Sequence, residues 1–155
     1  MTDLGNRRAF DDRMYAQAQA ETSDTHGALL MIDVDKFKAI NDTHGHAVGD
    51  RVLRQIGLAI TQTIRSHDFA ARVGGDEFTV LLPKAGMDEA REVGARIRLA
   101  VAEDADPPVT VSVGLALLSE DARGAVLAEI WRSTKPRARA ETALSMLRAH
   151  SSPAP

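Results

Sequence analysis

The chain has 155 residues, no cysteine and a formal net charge of -3 at pH 7. The length predicts one domain with its own core, and the lack of cysteine excludes disulfides and thiol chemistry. The small negative charge excludes a general attraction to nucleic acid or anionic membranes, and no apolar run reaches the roughly 20 residues that span a bilayer. We therefore expect a cytoplasmic protein without a signal peptide, and any phosphate site must be local.

The hydrophobic pattern predicts alternating helices and strands. In chain order it predicts a helix at about 7–22, a turn at 23–27, a strand at 28–34, a turn at 43–50, a helix at about 48–66, a hairpin around Gly74-Gly75, a helix at about 87–103 and a strand at 109–118. The run 28–34 does not alternate, which is typical of a strand covered on both faces. A glycine pair between apolar runs favours a two-residue turn with positive φ. The order predicts an α/β sandwich, with helices packed on a mostly antiparallel sheet.

Carboxylates follow two of the predicted strands. Asp33 and Asp35 end the run 28–34, and Asp76 and Glu77 follow the glycine pair. A helix N-cap explains Asp35 and a solvated turn explains the hairpin acids, but neither explains Asp33, which still lies within an apolar run. If the two strands pair in the sheet, the two carboxylate clusters become neighbours.

Such a cluster of oxygen ligands favours Mg²⁺ or Mn²⁺, which also take phosphate oxygens as ligands, as in two-metal nucleotidyl transfer. The helical turn expected at 36–38 offers N–H groups to a phosphate. The Asn41 amide and the Asp50 carboxylate match the hydrogen-bonding pattern of guanine. His44 and His46 raise the alternative of a zinc site, but no third ligand stands at a usual spacing. The residues therefore favour a metal-dependent nucleotide site.

The sequence also resembles the GGDEF domains, the catalytic domains of diguanylate cyclases. The signature GGDEF stands at 74–78, the family's upstream block appears as MIDVDKFKAINDTHGHAVGD at 31–50, and its entry motif survives in part as Thr2, Leu4 and NRRAF at 6–10. The resemblance covers about residues 1–118, and we assign 1–130 to the GGDEF core. It implies a palm-like, ferredoxin-related fold and the condensation of two GTP molecules to cyclic di-GMP with release of two pyrophosphates.

The resemblance implies a role for each residue of the carboxylate cluster. Asp33, the main-chain carbonyl of Val34 and Asp76 would bind the metals, and Glu77 would assist or act as the base that deprotonates the ribose 3′-OH. Gly74 and Gly75 would let the α-phosphate and ribose lie against bare backbone.

The resemblance also implies how GTP is held. The main chain of Phe37 and Lys38 would bind the β- and γ-phosphates, and Asn41 and Asp50 would read guanine. Because one domain holds one GTP, catalysis would require a homodimer with each 3′-OH aimed at the α-phosphate of the other domain.

The family's inhibitory RxxD motif has a counterpart in Arg65 to Asp68, with five residues between it and the signature. We expect cyclic di-GMP to bind there as product and inhibitor, with Arg96 or Arg98 completing the site. The alternative is an arginine near a helix C-terminus followed by a turn aspartate.

The C-terminal tail, 131–155, departs from the family motif ADxALYxAKxxGRN, and Pro136 interrupts any helix there. Codons can be chosen for 131–143 that read ALYEAKGAGRNR in another frame, so a frameshift is one hypothesis and a diverged, basic, partly disordered tail is the other. The tail leaves two further functions open: a catalytically impaired regulatory module that binds GTP or cyclic di-GMP, and a metal-dependent phosphohydrolase. We expect the upstream sensory domain to be absent from this chain.

Overall fold

The computed structural model describes residues 4–19 and 27–118. In these ranges the element order is β1 (Gly5–Asn6), α1 (Arg7–Gln19), β2 (Gly27–Val34), α2 (Phe37–His44), α3 (His46–Thr63), β3 (Phe69–Arg72), β4 (Glu77–Pro83), α4 (Met87–Asp104) and β5 (Val111–Leu118). The predicted helices and strands are present, with bounds within three residues wherever both ends are described. The turn predicted at 43–50 is wrong, because α2 continues to His44 and α3 begins at His46, with only Gly45 between them. The sequence prediction missed β1 and treated α2 only as a helical turn. The turn predicted before Gly27 and the tail 131–155 lie outside the described residues.

The five strands form one sheet in the order β1-β3-β4-β2-β5. Strand β2 pairs antiparallel with both β4 and β5, and β3 pairs antiparallel with β4. Only the two-residue strand β1 pairs parallel, with β3. The prediction of a mostly antiparallel sheet flanked by helices is therefore confirmed.

Strand β2 is covered on both faces, as its continuous apolar run predicted. Its even-numbered residues, from Ala28 to Val34, belong to the core beneath α3 and α4. Leu29 and Met31 pack on the opposite face with Phe10 and Met14 of α1. Asp33 follows Met31 by two residues, so it lies on the α1 face at the end of the strand, where the apolar cover ends.

Helices α3 and α4 each bury one stripe against the sheet. In α3 the stripe comprises Gly49, Val52, Leu53, Ile56, Gly57, Ala59 and Ile60, and in α4 it comprises Ala90, Val93, Gly94, Ile97 and Val101. This spacing of three and four residues is the helical period that the sequence showed. Helix α1 begins after Asn6, whose side-chain Oδ1 accepts the N–H of Ala9 at 2.9 Å as an N-cap.

In the part of the chain that the structure describes, no helix combines the length and apolar character needed to cross a membrane.

Candidate functional site

The register of the central strands brings the two carboxylate clusters together. Asp33 of β2 lies directly opposite Glu77 of β4, so both side chains lie on the same face of the sheet. One residue further on, the N–H of Val34 donates to the carbonyl of Asp76 at 3.1 Å. Paired strands therefore hold Asp33, Asp76 and Glu77 at one end of the sheet, as the sequence predicted for strands that pair.

The electrostatics of Asp33 reflect this convergence. Burial and then the nearby carboxylates of Asp76, Glu77 and Asp35 raise the pKa of Asp33 from 3.8 to about 6. Within the described ranges, no ion pair to Asp33 or Asp76 is formed. A cation bound here would therefore lower the electrostatic cost of keeping the cluster ionised.

Asp35 does not cap helix α2. Its carboxylate accepts hydrogen bonds from Thr110 Oγ1 at 2.6 Å and from Ser112 Oγ at 2.7 Å. The N-cap of α2 is Lys36, in a left-handed conformation with φ 55° and without a side-chain cap. The N-cap interpretation of Asp35 is wrong because Thr110, just before β5, and Ser112 of β5 supply its hydrogen-bond donors from 75 and 77 residues away in sequence.

The hairpin between β3 and β4 is present, but its turn is not the predicted one. The N–H groups of Val73 and Gly74 both donate to the carbonyl of Glu77, at 3.0 and 3.3 Å, which leaves a three-residue loop from Gly74 to Asp76. Among the described glycines, positive φ occurs at Gly45 alone. The prediction of a two-residue turn with positive φ is wrong, because the loop includes a third residue, Asp76, and neither Gly74 nor Gly75 has positive φ.

The glycines of this loop have different surroundings. A Cβ on Gly74 would lie 2.7 Å from Glu77 Oε2, whereas a Cβ on Gly75 would meet nothing within 4 Å. The Glu77 carboxylate thus packs over Gly74, and bare backbone is open at Gly75.

Arg72 also holds the loop, which sequence reasoning missed. Its Nε donates to the Gly74 carbonyl at 3.3 Å and its Nη2 to the Gly75 carbonyl at 2.7 Å. Its position at the end of an apolar strand, two residues before the glycine pair, was the available signal.

Asp33 and Asp76 fit a magnesium or manganese site in which water and substrate supply several of the ligands. Within residues 4–19 and 27–118, no three His, Cys, Asp or Glu side chains are grouped so that they alone could hold a metal. Mg²⁺ is commonly held by one or two carboxylates together with water and substrate phosphates, so Asp33, Asp76 and a main-chain carbonyl form a suitable donor set. His44 and His46 are both exposed beside Gly45.

Helices α2 and α3 form the second part of the candidate site. Phe37 and Lys38 begin α2, so their N–H groups have no helical carbonyl to bind. Gly49 is buried in the first turns of α3, and a Cβ there would overlap Asn41 Oδ1. Glycine at this position therefore allows the Asn41 amide to lie against α3, next in sequence to the exposed Asp50.

If Asn41 reads guanine, as the resemblance implies, we expect Gly49→Ala to weaken GTP binding about three- to tenfold, because the new methyl group would displace the amide and its one or two hydrogen bonds to the base. Replacing glycine by alanine inside a helix normally stabilises the folded state by up to about 1 kcal/mol. At position 49 we expect this gain in stability to be cancelled or reversed, because the new methyl group would overlap Asn41. Calorimetric titration with GTP measures the change. Gly86→Ala is the matched control, because a Cβ at Gly86 meets nothing within 4 Å. Equal GTP affinity in both variants would contradict the prediction.

The RxxD residues lie in the loop between α3 and β3, beside a cavity of about 400 Å³. The Asp68 side chain is only 5% exposed and accepts the main-chain N–H of Arg65 at 2.8 Å. The Arg65 side chain is 63% exposed, and its Nη1 lies 2.6 Å from Glu89 Oε1 of α4. Sequence reasoning missed Glu89, whose only signal was a position in the first turn of α4.

The two arginines considered as a third member of this site lie on different sides of α4. The Arg96 guanidinium donates to the carbonyl of Thr63, two residues before Arg65. Arg98 instead lines a cavity with Leu99, Thr110 and Val111 on the β5 side. The geometry therefore brings Arg96, and not Arg98, towards the RxxD residues.

Comparison with known proteins agrees with this geometry. The family model described as the diguanylate cyclase GGDEF domain matches residues 1–130. Diguanylate cyclase DosC of Escherichia coli (strain K12) is 38% identical over 127 residues, which cover 77% of this chain and 28% of DosC. The uncharacterized protein YhcK of Bacillus subtilis (strain 168) is 44% identical over 117 residues, which cover 74% of this chain and 32% of YhcK.

A solved structure shows the same fold. The GGDEF domain of DgcB from Caulobacter crescentus, in complex with c-di-GMP, superposes with a TM-score of 0.76 at 33% identity, covering 83% of this chain and 79% of that one. The chain spans about a third or less of the length of the two curated relatives named above. The match over residues 1–130 confirms the resemblance seen in the sequence: this chain belongs to the GGDEF domain family of diguanylate cyclases.

Proposed function

We propose that this domain condenses two molecules of GTP to cyclic di-GMP and releases two molecules of pyrophosphate. The observation that carries the proposal is the pairing of β2 with β4, which sets Asp33 opposite Glu77 and bonds the Val34 N–H to the Asp76 carbonyl. Family membership and the c-di-GMP bound to the related DgcB domain support the same substrate class.

Asp33, Asp76 and the Val34 carbonyl would hold Mg²⁺ or Mn²⁺. When bound, these ions neutralise the developing phosphate charge and lower the pKa of the attacking hydroxyl. Glu77 accepts the proton of the ribose 3′-OH. At the same time the 3′-oxygen forms a bond to the α-phosphorus of the other GTP, and the bond from that phosphorus to pyrophosphate breaks. Arg72 keeps the loop in place by binding the carbonyls of Gly74 and Gly75. The α-phosphate and ribose approach the open backbone at Gly75. The Glu77 carboxylate packs against the neighbouring Gly74, so it lies beside this approach.

GTP binding is assigned to α2 and α3. The N–H groups of Phe37 and Lys38 donate to the β- and γ-phosphates, since no helical carbonyl competes for them. Asn41, held against Gly49, and the exposed Asp50 form hydrogen bonds with guanine. One domain then holds one GTP, so two domains must face each other for each 3′-OH to reach the other α-phosphate. We place this reaction in the cytoplasm, where GTP is available.

Product inhibition belongs to the same proposal. Asp68 presents a nearly buried carboxylate beside the exposed guanidinium of Arg65, and Arg96 approaches from α4. Arginine binds a guanine edge through two donors and a carboxylate accepts from guanine, so cyclic di-GMP fits this group of residues.

A second candidate is a regulatory module that binds GTP or cyclic di-GMP without turnover. It is favoured by the departure of residues 131–155 from the family motif whose lysine and arginine hold the triphosphate. Losing two such charge-assisted contacts would cost roughly 1.5 to 3 kcal/mol each, unless another basic residue substitutes.

Incubation with GTP and Mg²⁺ at several protein concentrations, followed by chromatographic identification of the products, tests the proposal. A cyclase that works as a homodimer should release cyclic di-GMP and pyrophosphate at a rate that rises more steeply than linearly with protein concentration. A version carrying the family's C-terminal motif should be assayed beside the natural chain. GTP binding without pyrophosphate in both versions would identify the regulatory module, and GDP with inorganic phosphate would identify a phosphohydrolase.

A further inference from the structure

The Arg65–Glu89 ion pair links the inhibitory site to helix α4. The Nη1 to Oε1 distance of 2.6 Å is that of a short charge-assisted hydrogen bond. Glu89 is 37% exposed and lines the same cavity as Arg65, His67, Asp68 and Lys84. Its carboxylate therefore lies inside the space that the proposed inhibitor would enter.

Asp68 and Arg65, the two residues proposed to bind the inhibitor, are not equally available to a ligand. Asp68 is held by the main-chain N–H of Arg65, a bond that a ligand at the guanidinium does not need to break. Arg65 has one end of its guanidinium occupied by Glu89. Bidentate binding of a guanine edge or a phosphate that uses Nη1 requires that bond to be released.

Glu89 also opposes the ligand through its charge. Cyclic di-GMP carries two phosphate anions, and a carboxylate lining the cavity repels them in addition to occupying Arg65. The pair itself contributes little to folding, because solvent screens the attraction between exposed partners.

We propose that Glu89 is an internal competitor for Arg65 that sets the concentration at which cyclic di-GMP inhibits this domain. The inference rests on the proposed function, since it takes Arg65 and Asp68 as the inhibitory site. It makes Glu89 an affinity-determining residue, and it predicts that removing the carboxylate strengthens product inhibition.

The test is calorimetric titration of cyclic di-GMP into the full chain and its Glu89→Gln variant, which keeps the side-chain shape and removes the charge. We expect Glu89→Gln to bind about three- to tenfold more tightly, from the released arginine and the reduced repulsion. Initial rates at negligible product should be unchanged, and the product concentration that halves the rate should fall by the same factor.

Asp88→Asn is the matched control. Asp88 stands in the same first turn of α4, is 98% exposed and pairs with Arg91 instead of Arg65. Both substitutions remove one negative charge from the same helix N-terminus, so a general charge effect would strengthen binding equally in both. Equal strengthening, or wild-type affinity in Glu89→Gln, would overturn the role of Glu89.

Arg65→Ala separates this inference from the proposed function. If cyclic di-GMP binds Arg65→Ala as tightly as it binds the wild type, the inhibitory site is elsewhere and the role of Glu89 fails with it. If Arg65→Ala loses binding, the site is supported, and the comparison of Glu89→Gln with wild type decides the role of Glu89 by itself. In the Arg65→Ala background, adding Glu89→Gln should change any residual affinity by less than twofold.

Discussion

Replacing Asp76 with asparagine is expected to lower the rate of cyclic di-GMP formation about 10³-fold or more. Asparagine keeps the size of the side chain but removes the charge that would hold a divalent cation, and bound metal ions contribute several kcal/mol of transition-state stabilisation. Each 1.36 kcal/mol corresponds to a factor of ten in rate, so about 4 kcal/mol gives the stated loss. Initial rates of pyrophosphate release at saturating GTP and Mg²⁺ measure it.

The Asp76 substitution should leave the fold intact. The main-chain carbonyl of Asp76, which accepts the Val34 N–H at 3.1 Å, is unaffected by the change. The thermal unfolding temperature in EDTA should therefore not fall below the wild-type value, because removing this carboxylate also reduces the repulsion of Asp33. Asp104→Asn, at the exposed end of α4, is the matched control and should retain wild-type rates. An Asp76→Asn variant with more than a tenth of the wild-type rate would show that this carboxylate does not hold the metals.

Replacing Asp33 with asparagine is expected to abolish activity and yet to stabilise the metal-free protein above about pH 6. Burial and three neighbouring carboxylates raise the pKa of Asp33 in the folded state from 3.8 to about 6. The raised value means that the folded state binds the proton more tightly than the unfolded chain does. This contribution to stability is fully present below pH 3.8 and is lost as the pH rises through about 6.

Asparagine at position 33 cannot ionise, so the variant should not lose this stability. In EDTA, Asp33→Asn should unfold at a higher temperature than wild type. This difference in unfolding temperature should grow from about pH 4 to about pH 6 and then level off. The side chain is partly exposed, so solvent screening limits the size of the gain.

Adding Mg²⁺ at pH 7.5 should stabilise the wild type more than Asp33→Asn, because the ion favours the charged carboxylate. A variant that unfolds at a lower temperature than wild type in EDTA at pH 7.5 would contradict the assigned electrostatics of Asp33.

Local pattern was sufficient to predict the elements that build the site. The run from Ala28 to Val34 indicated a strand with two buried faces, and its single carboxylate, Asp33, was the residue that an apolar core could not explain. The alternation of helices and strands then made pairing of the two acidic strand ends a reasonable expectation, and the β2–β4 register agrees with it. Both inferences depend on side-chain periodicity, which a sequence shows directly.

The errors lie where distant residues or loop geometry decide the conformation. Asp35 has the residue type of an N-cap, but Ser112 of β5 and Thr110, which directly precedes β5, donate hydrogen bonds to it. The Gly74-Gly75 pair is typical of a two-residue turn, but the Val73 and Gly74 N–H groups both bind the Glu77 carbonyl and enclose a third residue. For Asp35, hydrogen bonds from residues 75 and 77 positions away override the local preference. At the hairpin, the bonds that close the loop set a length that the glycine pair does not determine.

By itself the sequence determined the family, the buried strand, the helical stripes and the chemical nature of the candidate site, because these depend on residue type and spacing along the chain. Tertiary structure alone decided that Asp33 faces Glu77, that Asp35 binds β5, that Gly49 makes room for Asn41 and that Glu89 occupies Arg65. Those contacts join residues that are separated by eight to 77 positions along the chain. Their partners are chosen by how helices and strands pack, and periodicity along a single segment carries no information about that packing.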